Sequence, residues 1–289
     1  MRFAIATVDG YLGVFTAFVH AGWTPVKLFT VPIRNEFGNQ QAVIAFAEQN
    51  KAAIQLSRMN EHDLQRLRDD GCEILIVASY DWKIPDWQPY LKYAINFHSS
   101  PLPEGRGPYP SHRAILENRD HWAVACHKIT SDLDSGSILA IENFPLRSDE
   151  CHESLSLKIQ MAGRKLAVRV AGQFTQLWEN AVPQEAGSYW QKTKMAERII
   201  DLNQPVEAVR RHVRPFGATG SFVLLGGAWL LVKRAVGWTE PHDIIPGTVV
   251  HVYNRCIVSA VPDGYIGFLE IEMASPQILA EALGDHPTH

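Results

Sequence analysis

An amide and an imidazole side chain lie two residues apart at the end of an apolar segment. Asn96 and His98 would point to the same face of a strand, because successive side chains alternate between faces. Pro101 and Pro103 then end the predicted strand, since neither has a backbone N–H to donate. The amide can stabilise an oxyanion and the imidazole can move a proton. The pattern fits acyl transfer, and it also fits a simple hydrogen-bonded pair at a strand end.

A second polar cluster follows in a loop between two predicted strands. Asp132 and Asp134 lie in this loop, just before Gly136. An aspartate aimed at an imidazole can orient the ring and raise its basicity. Gly136 can adopt backbone conformations closed to other residues, which would let the loop turn tightly around a reacting group. The alternative interpretation is an ordinary hairpin turn with solvated carboxylates.

Taken together, these two segments resemble the formyltransferases that use 10-formyltetrahydrofolate. The signature of that family is Asn-x-His, a Leu-Pro turn, Arg-Gly, and later Asp-x-Gly followed by Ile-Leu. The sequence carries these elements in the same order, at Asn96–His98, Leu102–Pro103, Arg106–Gly107, Asp134–Gly136 and Ile138–Leu139. The resemblance maps the catalytic trio of the family onto Asn96, His98 and Asp134. It leaves Asp132, four residues before the glycine, outside the trio.

The resemblance implies N-formyl transfer from 10-formyltetrahydrofolate to an amine. Asn96 and His98 would stabilise the tetrahedral oxyanion that forms when the amine attacks the formyl carbon. Asp134 would hold His98 and help to remove the proton from the attacking amine. The sequence contains neither a His-Glu-x-x-His nor a Cys-x-x-Cys pattern, so no metal site is expected.

The resemblance also places the folate next to the predicted strand over residues 74–78. In the related enzymes, the loop after this strand and the Asp-x-Gly loop enclose the pterin ring. The cofactor-binding residues expected on this basis are Tyr80, Trp82, Lys83, Ile84, Ser131 and Asp132. Aromatic residues near strand ends are also ordinary core material, so Tyr80 and Trp82 could instead cap the sheet.

Length and composition are typical of a globular enzyme. The chain has 289 residues, of which 46% are hydrophobic and 20% are charged. Its four cysteines are scattered, which favours free thiols and a cytoplasmic location. Asp9 and Gly10 interrupt the apolar N-terminus, which is therefore predicted to be a strand and not a signal peptide. No apolar run is long enough to span a bilayer, so no membrane association is expected.

Alternating strand and helix patterns over residues 1–182 predict an α/β catalytic domain with a Rossmann-like, mostly parallel sheet. The predicted strands cover residues 2–7, 25–31, 51–56, 74–78 and 93–98. No Gly-x-Gly-x-x-Gly follows the first strand, so a dinucleotide site is not expected. A long helix over residues 153–179 would close this domain. Pro183 and Gly187 then indicate a linker over residues 180–188.

Residues 189–289 are predicted to form a second, smaller domain that is mostly β. Short strands alternate with turns there, after one helix over residues 206–213. Gly226-Gly227 and Asp263-Gly264 are hairpin signals. This region resembles the OB-like C-terminal domain of the same formyltransferases, so the resemblance covers nearly the whole chain. Exposed strand edges in this domain could support a homodimer.

The sequence motifs do not identify the acceptor amine, which is inferred instead from charge and loop composition. A methionyl-tRNA formyltransferase needs a cationic surface for phosphates, but the net charge here is −4. Residues 190–289 contain 9 Lys and Arg against 10 Asp and Glu. The loop over residues 32–40 has one cation and one anion, whereas the tRNA enzymes carry a long basic loop there. Pro108-Tyr109-Pro110 also replaces the small residues that usually follow Arg-Gly.

These features favour a small-molecule amine, such as a nucleotide-linked amino sugar or a hydroxyornithine-like precursor, over tRNA. Arg106 and Tyr109 are the expected acceptor contacts, although an arginine near a Gly-rich loop is as often structural. Methionyl-tRNA formylation is the first alternative. A formyltetrahydrofolate hydrolase is the second, although known hydrolases carry a regulatory domain for which this chain is expected to have no room. A non-catalytic folate-binding protein would leave the complete trio unexplained.

Overall fold

The chain folds into two compact units. The computed structural model describes residues 1–32, 40–108, 110–254 and 256–275. The first unit is formed by the described residues within Met1–Pro108, His121–Pro145 and Leu157–Trp190, and the second by those within Tyr109–Asp120, Leu146–Ser156 and Gln191–His289. The described residues of segments 110–120 and 146–156 cluster with the second unit, and the predicted domain bounds, 1–182 and 189–289, stay a prediction.

A seven-stranded sheet forms the centre of the first unit. Its strands are β1 (Arg2–Thr7), β2 (Thr24–Phe29), β3 (Ala53–Gln55), β4 (Ile74–Ala78), β5 (Tyr93–His98), β6 (His121–Lys128) and β7 (Ile138–Pro145). They are arranged in the order β3-β2-β1-β4-β5-β6-β7. Strands β1 to β5 are parallel, whereas β6 and β7 are antiparallel to their neighbours. The predicted Rossmann-like, mostly parallel sheet is confirmed.

Six α-helices accompany the strands within the described ranges. They are α1 (Leu12–His20), α2 (Gln41–Gln49), α3 (Glu61–Asp69), α4 (Ser111–Leu116), α5 (His152–Glu179) and α6 (Val206–Val213). The predicted long helix over residues 153–179 corresponds to α5, which departs from helical dihedral angles at Gln173. Among the described residues, no helix is both long and apolar enough to cross a lipid bilayer.

The core of the first unit is built on its central strands. Every residue of β4 is buried, as expected for a parallel strand that is covered on both faces. Helix α1 packs on β1, and the ring of Phe3 lies 5.9 Å from the rings of both Phe15 and Phe18. Burying one such side chain contributes roughly 1.5–3 kcal/mol. The ring of Phe18 also lies 6.2 Å from that of Phe97, which connects this packing to β5, the strand that carries Asn96 and His98.

Most predicted elements agree with the structure, and the differences have local causes. The predicted third strand over residues 51–56 is shorter, because Lys51 closes the end of α2 with a left-handed φ of 57°. The predicted linker over residues 180–188 belongs to the first unit instead. There, Val182 exchanges two backbone hydrogen bonds with Ile138 at the start of β7.

The second unit contains a five-stranded antiparallel sheet. Its strands are β8 (Ser221–Leu225), β9 (Ala228–Thr239), β10 (Val249–Tyr253), β11 (Cys256–Val261) and β12 (Gly264–Met273), in the order β10-β11-β12-β9-β8. Both predicted hairpins are present, and Gly226 and Gly227 take positive φ values of 56° and 81° between β8 and β9. The predicted mostly β second domain is confirmed, and its OB-like form stays a prediction.

Candidate active site

Asn96 and His98 each contact Asp134 in the first unit. Asn96 and His98 lie two residues apart on β5, and Asp134 lies in the loop between β6 and β7. Asn96 Nδ2 donates a hydrogen bond of 3.2 Å to Asp134 Oδ1. His98 Nδ1 lies 3.5 Å from the same carboxylate oxygen. The structure therefore brings together the three residues that the sequence predicted to be catalytic.

The backbone of the β6–β7 loop determines where the Asp134 carboxylate lies. Asp134 itself has a left-handed φ of 54°, a region in which aspartate is enriched among residues with a side chain. The expectation that Gly136 supplies the unusual dihedral angle is wrong. Gly136 is required for space, because a Cβ atom there would overlap the carbonyl oxygen of Lys128. The sequence identified the important glycine but not its physical role.

The Asp134 carboxylate is held in its ionised form. Its Oδ2 accepts a hydrogen bond of 3.0 Å from the Gly107 N–H. Burial alone would raise the pKa of Asp134. A hydrogen bond from His127, the positive charges that His98 and His127 can carry, and the Gly107 N–H outweigh burial and lower the pKa to about 2. Asp134 is therefore negatively charged at neutral pH.

His98 presents a free ring nitrogen to this carboxylate. Its Nε2 lies 2.9 Å from the Gly105 carbonyl oxygen, which can only accept, so the proton of the neutral ring is on Nε2. Burial lowers the pKa of His98 below 6.5, and the charge of Asp134 opposes this shift without reversing it. The ring is therefore neutral at pH 7, and Nδ1 is available as a base beside Asp134.

His127 is a site residue that the sequence analysis missed. It lies on β6 directly opposite Asn96 in the antiparallel register with β5, so the two side chains share one face. Its Nδ1 donates to the Lys128 carbonyl oxygen at 2.8 Å, and its Nε2 accepts from Asn96 Nδ2 at 3.1 Å. Nε2 is also 3.5 Å from Asp134 Oδ1, to which it would donate when His127 is protonated. The signal for His127 is the pairing register of β5 and β6, which places it opposite Asn96.

These contacts give the cluster two chemical capabilities. His98 can take up a proton at Nδ1, and Asp134 would then stabilise the imidazolium from 3.5 Å. The Asn96 amide directs one N–H to Asp134 and the other to His127. Asn96 can therefore donate to a developing oxyanion only by exchanging one of these two hydrogen bonds.

The residues that are expected to bind folate after β4 differ in burial, because Tyr80, Trp82 and Ile84 are partly buried. Tyr80 and Trp82 contact each other edge to face, with ring centroids 5.3 Å apart. The Tyr80 hydroxyl accepts the Met59 N–H at 3.0 Å, and both Tyr80 and Ile84 pack partly against the buried core. The interpretation of Tyr80 as a cap on the sheet thus has direct contacts in its favour. The side chain of Lys83 is exposed.

The folate positions predicted on the Asp-x-Gly loop, Ser131 and Asp132, are also exposed. The carbonyl oxygen of Asp132 accepts hydrogen bonds from the Thr130 and Ser135 hydroxyls, at 3.1 and 3.0 Å. This backbone oxygen organises the loop. A role of these two residues in folate binding stays a prediction.

Of the two predicted acceptor contacts, Arg106 and Tyr109, only Arg106 lies within the described residues. Arg106 uses part of its guanidinium within the protein, because Nε donates to Gln184 Oε1 and Nη2 donates to the Glu185 carbonyl oxygen, both at 2.9 Å. These bonds give Arg106 a structural role, which was the alternative to an acceptor contact, and its contact with the acceptor stays a prediction. Tyr109 lies outside the described residues. No group of three or more potential metal ligands occurs in the part of the chain that the structure describes.

Comparison with known proteins agrees with this chemistry. Residues 34–171 match the sequence profile of the formyl transferase family. A methionyl-tRNA formyltransferase from Chromobacterium violaceum is 29% identical over 228 residues, which cover 77% of this chain and 73% of that protein. A second one, from Thiobacillus denitrificans, is 29% identical over 221 residues, or 75% of this chain and 72% of that protein.

Solved structures share the fold. A HypX variant from Aquifex aeolicus superposes with a TM-score of 0.69 at 17% identity, and covers 95% of this chain. This chain spans only 45% of that larger protein. An N-formyltransferase from Helicobacter canadensis, in complex with folinic acid and dTDP-3-aminofucose, gives a TM-score of 0.68 at 15% identity and covers 93% of this chain and 98% of its own. With the family profile over residues 34–171, the relatives and the geometry of Asn96, His98 and Asp134 in agreement, this chain carries a formyl transferase domain and is a formyl-group transferase.

Proposed function

We propose that this enzyme transfers a formyl group from 10-formyltetrahydrofolate to the amine of a small molecule. The observation that carries the proposal is the neutral His98, whose free Nδ1 lies 3.5 Å from the ionised Asp134. A folate donor is supported by two structural neighbours, the Helicobacter canadensis enzyme in complex with folinic acid and HypX in complex with tetrahydrofolic acid.

In the proposed reaction, the neutral amine attacks the formyl carbon and a tetrahedral intermediate forms. The Asn96 amide donates to the oxyanion, a contact typically worth about 10²–10³ in rate. The attacking nitrogen passes its proton to His98 Nδ1, and Asp134 stabilises the imidazolium. The C–N10 bond then breaks and His98 returns the proton to N10, which releases tetrahydrofolate and the formylated amine.

The charges of the second unit support a small acceptor. Both Arg210 and Arg214 pair with Glu207, at 3.0 and 3.2 Å. In the sheet, Lys233 pairs with Glu272 and Arg234 with Glu270, at 2.6 and 3.1 Å respectively. Exposed ion pairs add little stability, but they reduce the positive potential that binding of a phosphate backbone requires. A nucleotide-linked amino sugar is the favoured acceptor, since the Helicobacter canadensis enzyme is in complex with one.

Methionyl-tRNA is the second candidate acceptor. The observation in its favour is that the relatives with 29% identity over about three quarters of this chain are methionyl-tRNA formyltransferases. The two candidates differ in their dependence on salt, because neutralising several phosphates makes binding fall steeply as salt increases.

A competition experiment separates the two acceptors. The protein would be supplied with 10-formyltetrahydrofolate, methionyl-tRNA and a set of dTDP-linked amino sugars in one reaction, and the mass of each acceptor would be followed. We expect the formyl mass on an amino sugar, at a rate that changes little with salt. Formylated methionyl-tRNA, with a rate that falls steeply with salt, would establish the second candidate instead.

A further inference from the structure

The segment that follows α5 holds two loops of the active site together. Residues 182–190, here called the bracing segment, lie within the first unit. Ser188 contacts the first loop, because its Oγ accepts the Gly105 N–H at 2.8 Å and its carbonyl oxygen accepts the Arg106 N–H at 3.0 Å. Trp190 donates its N–H to the Arg106 carbonyl oxygen at 2.7 Å. Gly105, in turn, provides the carbonyl that binds His98.

Gln184 connects the bracing segment to the second loop. Its Nε2 donates to the carbonyl oxygens of Asp134 and Gly136, both at 2.8 Å. Its Oε1 accepts from Arg106 Nε at 2.9 Å. Both amide hydrogens and the amide oxygen are therefore engaged. Because Arg106 can only donate, it fixes the orientation of the amide and directs the Nε2 group toward the loop.

We propose that Gln184 is a positioning residue for formyl transfer, an inference that rests on the proposed function. It holds the carbonyl oxygen of Asp134, which has the left-handed φ of 54°, and the carbonyl oxygen of Gly136 two residues later. The turn sets the direction of the carboxylate, and the carboxylate must lie 3.5 Å from His98 Nδ1. Gln184 thus acts on the reaction through Asp134, without contact with the reacting atoms.

Arg106 has the supporting role in this arrangement. Its Nη2 is anchored on the carbonyl oxygen of Glu185, the neighbour of Gln184 in the bracing segment. The Arg-Gly pair of the sequence signature therefore has two functions in the structure. Arg106 orients the Gln184 amide, and the N–H of Gly107 binds Asp134 Oδ2 at 3.0 Å.

The substitution Gln184→Glu removes the donor end of the side-chain amide and keeps its acceptor end. A glutamate keeps an acceptor for Arg106, but it cannot donate to the two carbonyl oxygens and places a carboxylate oxygen against them. Since small displacements of catalytic groups reduce rates strongly, we expect kcat to fall about 10²-fold, with KM for 10-formyltetrahydrofolate changed less than about threefold. Gln49→Glu, on the exposed side of α2, is the matched control and should retain wild-type kcat.

Two further measurements distinguish positioning from a general loss of stability. Hydrogen exchange in Gln184→Glu should increase in the peptide over residues 130–137 and stay unchanged in β1 and β4. In a double-mutant cycle, Gln184→Glu should reduce kcat less than about threefold when Asp134 is already asparagine, because residues acting as a unit are not additive. Gln184→Met, which has a similar length and no strong donor, replaces the glutamate variant if the latter fails to fold.

The inference is overturned if exchange in residues 130–137 does not change, or if the full 10²-fold loss persists in the Asp134→Asn background. It is also overturned if Gln184→Glu retains wild-type kcat, since the contact with Arg106 would then be sufficient. These outcomes are distinct from failure of the proposed function. In that case the wild-type protein would formylate no amine, while hydrogen exchange would still report whether Gln184 holds the loop.

Discussion

Replacing Asp134 with asparagine removes the negative charge beside His98 and preserves the shape of the side chain. The carboxylate now accepts hydrogen bonds from Asn96 and from the Gly107 N–H. An asparagine can accept only one of them, and its own NH₂ group would then face a second donor. The variant therefore loses both the stabilisation of a His98 imidazolium and one buried hydrogen bond.

The expected loss of kcat follows from the distance between His98 Nδ1 and Asp134 Oδ1. Unit charges 3.5 Å apart attract by about 5 kcal/mol at an effective dielectric constant of about 20. The His98 and Asp134 side chains are only 10% and 13% exposed, so solvent screens this attraction weakly. Because about 1.4 kcal/mol corresponds to a tenfold change in rate, we expect kcat to fall at least about 10³-fold.

Steady-state release of tetrahydrofolate, with an acceptor that the wild-type enzyme formylates, measures this loss. The dissociation constant of the folate should change less than about tenfold, because in the proposed reaction the carboxylate acts on the imidazolium and not on the donor. Asp69→Asn, an exposed carboxylate on α3, is the matched control and should retain wild-type kcat. An Asp134→Asn enzyme with kcat within tenfold of wild type would show that the carboxylate does not stabilise a charged His98 during transfer.

Three further variants test other parts of the structure. His127→Met removes the acceptor of one Asn96 N–H, so kcat should fall roughly tenfold with unchanged folate affinity; unchanged kcat in the tetrahydrofolate-release assay would contradict a role of His127 in holding the amide. Gly136→Ala forces a Cβ against the Lys128 carbonyl oxygen, so thermal unfolding should show a loss of roughly 1–3 kcal/mol, and a stability equal to wild type would contradict the steric requirement. Burial lowers the pKa of His112 to about 4 in the folded protein. Because the unfolded chain then binds more protons than the folded chain below pH 6.5, this residue should lower the free energy of unfolding by about 2 kcal/mol from pH 7 to pH 5. Urea unfolding of His112→Gln should show a correspondingly weaker pH dependence, and an unchanged dependence would assign the effect to other groups.

The parts of the site that could be predicted from sequence are those set by local order along the chain. Asn96 and His98 share a face because strand periodicity demands it, and β5 begins and ends where the apolar pattern does. Asp134 was distinguished from Asp132 by the Asp-x-Gly spacing that the sequence shares with the resembling formyltransferases. The structure places Asp134 in the buried cluster and Asp132 on the surface.

The parts that could not be predicted depend on contacts between distant segments. His127 reaches Asn96 through the register of two antiparallel strands, and strand patterning alone does not set that register. Gln184 lies in a Pro- and Gly-containing stretch that is typical of a linker, and only tertiary hydrogen bonds reveal its position next to Asp134. The assignment of residues 110–120 and 146–156 to the second unit likewise follows from long-range packing. The predicted cytoplasmic location and homodimer stay predictions.

Transfer of a ¹³C-labelled formyl group tests most directly whether Asn96, His98 and Asp134 form the active site of a folate-dependent formyltransferase. The wild-type protein and the Asp134→Asn variant would each be incubated with labelled 10-formyltetrahydrofolate and an amine panel that includes dTDP-linked amino sugars and methionyl-tRNA. We expect wild type to place the label on one acceptor amine with an equal amount of tetrahydrofolate released, and the variant to do so about 10³-fold more slowly. Label recovered only as free formate, or an equal rate of labelling by the variant, would contradict the proposed mechanism.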